Sequence, residues 1–206
     1  MAKGYTTKTK VAQFLNTTIS MSDGDFAVLI GYAEKIIDQL TGRNFIADAS
    51  ASVRLFDGNG KQIMSIDDCV AITTVEVGND DFGGTFTTIA AISTSIADGY
   101  FKLPSNAVAK LEPITQLKLR SRCFLQGVQN QKITAKWGYS VACPDDVSMA
   151  CTILTAGIYN YNRGGGAGNV KSERIGDYSV TYDNDNGWDD LERAKGIITT
   201  RTRINI

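Results

Sequence analysis

Chains that do acid–base chemistry near neutral pH most often use histidine, and this one has none. Its absence removes the Ser-His-Asp, Cys-His and histidine-zinc solutions together, along with the commonest metal ligand. The adjacent carboxylates Asp67-Asp68 and Asp80-Asp81 stand in polar, turn-like contexts where nothing would shift a pKa. Cys69, Cys123, Cys143 and Cys151 are far apart, and none forms the C-x-x-C pair that brings two thiolates to one zinc ion. Cys123 in a strand-like run and Cys151 on a helical apolar stripe read as packed thiols, which implies a reducing compartment. No catalytic residue, metal or cofactor is expected.

Three further patterns imitate binding motifs. Gly164, Gly165, Gly166 and Gly168 precede Lys171-Ser172, but a phosphate-binding loop needs Gly directly before the Lys and a strand-to-helix setting, and neither holds. The run is read as a flexible docking loop. Asp183 to Gly187 resembles a calcium loop, yet with Gly187 sixth, Tyr182 falls first and Arg193 twelfth, so it reads as a turn and helix cap. Lys118, Arg120 and Arg122 alternate along a strand candidate at Leu117–Arg122. They would meet DNA phosphates if that face lined a channel, and are otherwise a solvated or edge-protecting face. The tail from Thr199 to Ile206 carries β-branched residues and two arginines, a composition able to dock on another chain, with a frayed end as the plain alternative.

The elements that position these residues follow from hydrophobic period. Thr7–Leu15 is a short helix candidate. Ser22 caps a stronger one through the Asp25 amide, with Phe26, Leu29, Ile30, Ala33, Ile36, Ile37 and Leu40 on one face and Gly42 as the stop. Gly31 inside it points to close packing of another backbone. After Asp48 the period falls to two. Val53 and Leu55, the turn Asp57-Gly58-Asn59-Gly60, and Ile63–Ile66 predict a hairpin. Ala71–Val77 and Lys132–Tyr139 follow as strands, the latter with Ile133, Ala135, Trp137 and Tyr139 on one face. Residues 78–113 read as loops with one or two weak strands. Pro144 with Asp145 and Asp146 starts a helix whose stripe is Val147, Ala150, Cys151, Leu154, Ile158 and Tyr161, ending at Arg163. A short strand at Tyr178–Tyr182 precedes a last helix from near Asn186, presenting Trp188, Leu191, Ala194 and Ile198.

The expected class is α+β: a helical bundle formed by N- and C-terminal helices, residues 1–48 and 140–206, with an antiparallel β-sheet or small β-sandwich inserted over 49–139. No apolar run approaches the roughly 20 residues that span a bilayer, and residues 1–10 show no secretory pattern, so no membrane role is expected. The net charge of −1 leaves only local attraction to a polyanion.

At Ser172-Glu173-Arg174-Ile175-Gly176-Asp177-Tyr178-Ser179-Val180-Thr181-Tyr182, following a helix that begins Pro144-Asp145-Asp146-Val147, the chain resembles the head-tail connector (adaptor) proteins of tailed bacteriophages. Ile37-Asp38-Gln39-Leu40-Thr41-Gly42-Arg43, the Asp57–Gly60 turn and Trp137-Gly138-Tyr139 agree with longer members, so the resemblance runs from about Val11 to Ile198. It implies a structural virion subunit, not an enzyme, in a homo-oligomeric ring, commonly a dodecamer, beneath the portal protein. The ring would extend the DNA channel toward a downstream neck or tail protein, pass double-stranded DNA without sequence-specific binding, and be assembled in the host cytoplasm. Portal or neighbour contact falls, on this resemblance, to Trp188, Leu191, Ile197, Arg201, Arg203, Ile204 and Ile206, and Lys118, Arg120 and Arg122 are candidates to face the channel. The rival readings are a stopper or tail-completion protein, a β-rich ligand or carbohydrate-binding module, and a small hydrolase using carboxylates.

Overall fold

The computed structural model describes residues 2–92, 98–163, 172–175, 178–181 and 188–203. The chain is α+β, the described residues forming four α-helices and a six-stranded antiparallel sheet. It divides into two compact units, Met1–Arg43 with Cys143–Ile206, and Asn44–Ala142.

The first unit holds α1 (Lys8–Leu15), α2 (Asp23–Thr41), α3 (Asp145–Arg163) and α4 (Trp188–Ile198). Ser22 Oγ accepts from the Asp25 amide at 3.2 Å, and Gly42 closes α2 in the left-handed region at φ 66°, where a Cβ would be strained. Phe26, Leu29 and Ile30 of α2 pack with Val11 of α1 and Ala156 and Tyr159 of α3. Phe26 meets Tyr159 edge-on at 5.8 Å between ring centroids, a favoured aromatic geometry. Helix α3 packs against α1, α2 and α4. That explains why it is buried continuously from Ala150 to Ala156 rather than along one stripe. Leu40 and Tyr161, expected on apolar faces, are exposed. Nor does any backbone approach Gly31, since a Cβ there would meet nothing within 4 Å.

The second unit is built from β1 (Ser52–Gly58), β2 (Ile63–Gly78), β3 (Phe86–Ile89), β4 (Tyr100–Leu103), β5 (Ile114–Leu119) and β6 (Gly127–Trp137). Strand order is β1-β6-β2-β5-β4, with β3 also on β2. This is one sheet, not a sandwich. The expected β1–β2 hairpin does not form either, because β6 lies between the two strands and pairs with both. Side chains pack across the β1–β6 seam: the tilted rings of Phe56 and Trp137 lie 5.7 Å apart, Arg54 lies over the Trp137 ring at 4.6 Å, and Trp137 Nε1 donates to Ser52 O at 2.9 Å. The turn residues serve as a linker instead. Asn59 closes it by donating to Ile63 O and accepting from the Lys61 amide. Gly58 permits the close approach, for a Cβ there would stand 1.8 Å from Leu125 O.

The β6 alternation matches its sequence pattern. Ile133, Ala135, Trp137 and the following Tyr139 are buried, whereas Lys132, Thr134 and Lys136 reach solvent. Ile133, Ala135 and Trp137 join Met64, Ile66, Val75, Ile114, Leu117 and Leu119 in the core of this unit. Strands β7 (Ser172–Ile175) and β8 (Tyr178–Thr181) form a separate antiparallel pair.

Candidate functional site

Of the residues assigned to partner contact, Trp188, Leu191 and Ile197 lie on α4 and Arg201 on the short 3-10 turn Thr199–Arg201 that follows it, with Arg203 just beyond. Ala194 and Ile198 anchor α4, both buried. Asp190 reaches Gly157 of α3 so closely that a Cβ on Gly157 would sit 2.4 Å from its Oδ2. Leu191 is half-buried and lines an apolar groove with Ile36, Leu154, Ile158 and Tyr161, and Ile197 is half-buried. Trp188 opens α4 by its backbone, and its side chain lies outside the described residues, as do Ile204, Ile206, and the proposed docking loop Gly164, Gly165, Gly166 and Gly168.

The tail as far as Arg203 does not fray. Arg201 Nε donates to Asp146 Oδ2 at 2.6 Å, Arg43 Nε donates to Arg201 O at 2.8 Å, and the Arg203 amide donates to Thr41 O at 2.8 Å. These bonds tie the turn to the last residues of α2 and the first turn of α3. The Asp146 carboxylate favours the positive end of α3, and the Arg203 amide satisfies a carbonyl that the end of α2 leaves open.

The basic triplet is not one strand face. β5 ends at Leu119, so Lys118 alone stands on it, paired with Ile63 and Phe101 and half-buried. Arg120 and Arg122 are exposed in the connection that follows, where Arg122 pairs with Asp98 at 3.2 Å. The reason is that Arg120 donates its amide to Gly99 O, outside the ladder, and the chain turns there.

Sequence reasoning missed Glu34. It is 2% exposed on the apolar side of α2, and its carboxylate accepts the amides of Lys3, Gly4 and Tyr5 at 2.6, 2.7 and 2.9 Å. Asp38, one turn on, takes Lys3 Nζ and the Tyr5 hydroxyl. A carboxylate between Ala33 and Ile37, inside the stripe, was the available signal, because a buried charge needs donors.

Burial pushes the Cys69 and Cys143 thiols each up to about 12 and raises Cys151 as well, so these thiols stay protonated and unreactive. Cys123, expected to pack, is exposed, because the strand ends before it. Among the described residues no cluster of acidic, cysteine or histidine side chains could hold a metal ion, and no helix is long and apolar enough to cross a membrane.

No protein-family model matches the sequence, and no curated protein matches it. The fold does find solved relatives. A chain from the neck of an empty gene transfer agent particle, computed with C6 symmetry, is similar with a TM-score of 0.55 and 13% identity, over 95% of this chain and 90% of that one. A chain from the virion of a native gene transfer agent particle is similar with a TM-score of 0.53 and 15% identity, over the same shares.

Proposed function

We propose that this chain is a structural neck protein of a tailed-phage-like particle: a head-tail connector subunit that closes into a ring with its own copies beneath a portal. The observation that carries the reading is the fold likeness, along nearly the whole chain, to a subunit of a particle neck solved with rotational symmetry. The connector motifs at Ser172–Tyr182 support it from the sequence side. On this reading the helices of residues 1–48 and 140–206 form the connector bundle, and 49–139 is the inserted β module.

The work is binding. A ring of identical subunits needs two different surfaces per subunit, meeting head to tail through a rotation that closes. Each joint should bury well over ~1,000 Å² to hold a pressurised passage together. Leu191 and Ile197, both half-buried, with the tied Arg201–Arg203 segment, offer the portal-facing surface. Lys118, Arg120 and Arg122 remain the candidates to face passing DNA, with contacts too few to retain it.

Mass measurement of the purified chain, alone and mixed with its portal, tests this. Rings of one discrete copy number, or portal-dependent assembly, are expected. A chain that stays monomeric in both conditions sinks the proposal, and a monomer that captures a glycan favours the ligand-binding rival.

A further inference from the structure

Strands β7 and β8 make a sheet of only two strands. Ser172 pairs with Thr181, Glu173 with Val180, Arg174 with Ser179 and Ile175 with Tyr178, and among the described residues no other strand pairs with either. A two-stranded hairpin is at best marginally stable in water, and independent stability takes a third strand or more. The large sheet blunts its edges, β1 by a register shift between Phe56 and Gly58 and β4 by the bridge from Tyr100 to Ala91. The hairpin has neither device. Its strands, Ser-Glu-Arg-Ile and Tyr-Ser-Val-Thr, hold no Lys and no Pro, and the pairing runs through all four positions without a bulge. Tyr, Val and Thr in β8 favour a strand.

The two edges are unlike, and each suits the other. Gly176-Asp177 is a two-residue connection, so the flanking pair Ile175 and Tyr178 is bonded, and bonded and non-bonded pairs then alternate along the ladder. The backbone groups of Ser172 and Arg174 therefore point away from β8, and those of Ser179 and Thr181 away from β7. Since β7 and β8 run in opposite directions, the outer edge of β7 on one copy forms an antiparallel ladder with the outer edge of β8 on another. A two-fold pairing of β7 with β7 would leave both β8 edges open. Pairing β7 with β8 around a closed rotation leaves no edge open at all.

The connections allow it. Residues 164–171 lead from α3 to β7 and 182–187 from β8 to α4. Stretches of that length reach up to ~28 Å and ~21 Å when extended, against the ~4.8 Å between neighbouring strands.

Resting on the ring reading above, we infer that the hairpins of successive copies join edge to edge, β7 of one against β8 of the next, into one closed antiparallel barrel around the ring axis. Its strand number is twice the copy number, so the width of the passage it encloses is set by the ring. Arg174 of one copy stands opposite Ser179 of the next or, with the stagger a barrel needs, opposite Thr181.

The test places cysteines on separate chains in a Cys123→Ser background, which removes an exposed native thiol. Arg174→Cys, Ser179→Cys and Thr181→Cys chains are purified apart, mixed in pairs, assembled with portal and oxidised gently. Disulfide-linked dimers are expected when Arg174→Cys meets Ser179→Cys or Thr181→Cys, and not from Arg174→Cys by itself. Ser179→Pro gives a second measure, because a proline whose missing amide points outward is tolerated in an edge strand but cannot donate to a neighbour. It should leave the Tm of the free chain unchanged and weaken assembly about tenfold, the loss of one ladder bond per joint. A wild type that forms no ring, alone or with portal, overturns the ring reading. A ring that forms without linked dimers in either mixture, that links Arg174→Cys chains to one another as readily, or that tolerates Ser179→Pro unchanged overturns the barrel and leaves the ring reading standing.

Discussion

Glu34 shows how one carboxylate can organise a terminus. Three amides converge on it, and each hydrogen bond to a charged group contributes about 1.5–3 kcal/mol when the partner would otherwise go unpaired. Glu34→Ala should therefore lower stability by about 2–4 kcal/mol in urea titration and release the amides of Lys3 to Tyr5 to fast hydrogen exchange. Asp23 behaves differently, being open to solvent. A hydrogen bond and the charge of Lys8, 2.8 Å away, hold its carboxyl below the ordinary value. The pairing is thus present above the usual carboxylate range and is lost as pH falls through the lowered value. An NMR titration should find Asp23 below its ordinary value of 3.8 and returning toward it in Lys8→Ala.

Among elements, the β1–β6 seam depends on what cannot be placed at Gly58. A methyl group there would collide with the Leu125 carbonyl and the Asn130 side chain. Gly58→Ala should cost about 3 kcal/mol by overpacking, with the loss read as a lowered Tm and displaced Trp137 fluorescence. The tail depends on charge instead. A double-mutant cycle on Arg201 and Asp146, each about a third exposed or less, should give a coupling near 1 kcal/mol. Absence of coupling would mean that this ion pair does not help to hold the tail.

At the scale of the whole molecule, each unit carries its own core. Every residue of the larger hydrophobic cluster lies between Phe56 and Trp137. The chain also enters and leaves that unit side by side, with Ile46 bridged to Ser140 and the Tyr139 amide bonded to Asn44 O. A fragment spanning 44–142 should therefore fold alone and unfold cooperatively in a thermal melt. A fragment with a dispersed NMR spectrum is expected, and one that behaves as a molten state would show that the sheet needs the helices to set its packing.

Local signals carried far in this chain. The Ser22 cap, the Gly42 stop and the β6 alternation each depend on neighbours within a few residues, so they could be read directly and the structure reproduces them. Residues 78–113, read as loops with one or two weak strands, carry β3 and β4. Pairing partners were not legible, because a period of two says which face is buried and not which strand lies alongside. A strong turn beside two strands was read as a hairpin, yet β6 lies between them, with Trp137 packed against Phe56 and Arg54 of β1. The candidate surfaces divide the same way. Arginines in the tail were visible as residues, but their anchoring on Asp146 and Thr41 joins positions far apart in sequence. Gly31 was visible as an anomaly, and the open space above it, like the outward ring of Phe82, exists only once the chain has folded and the side chains around them have found other partners.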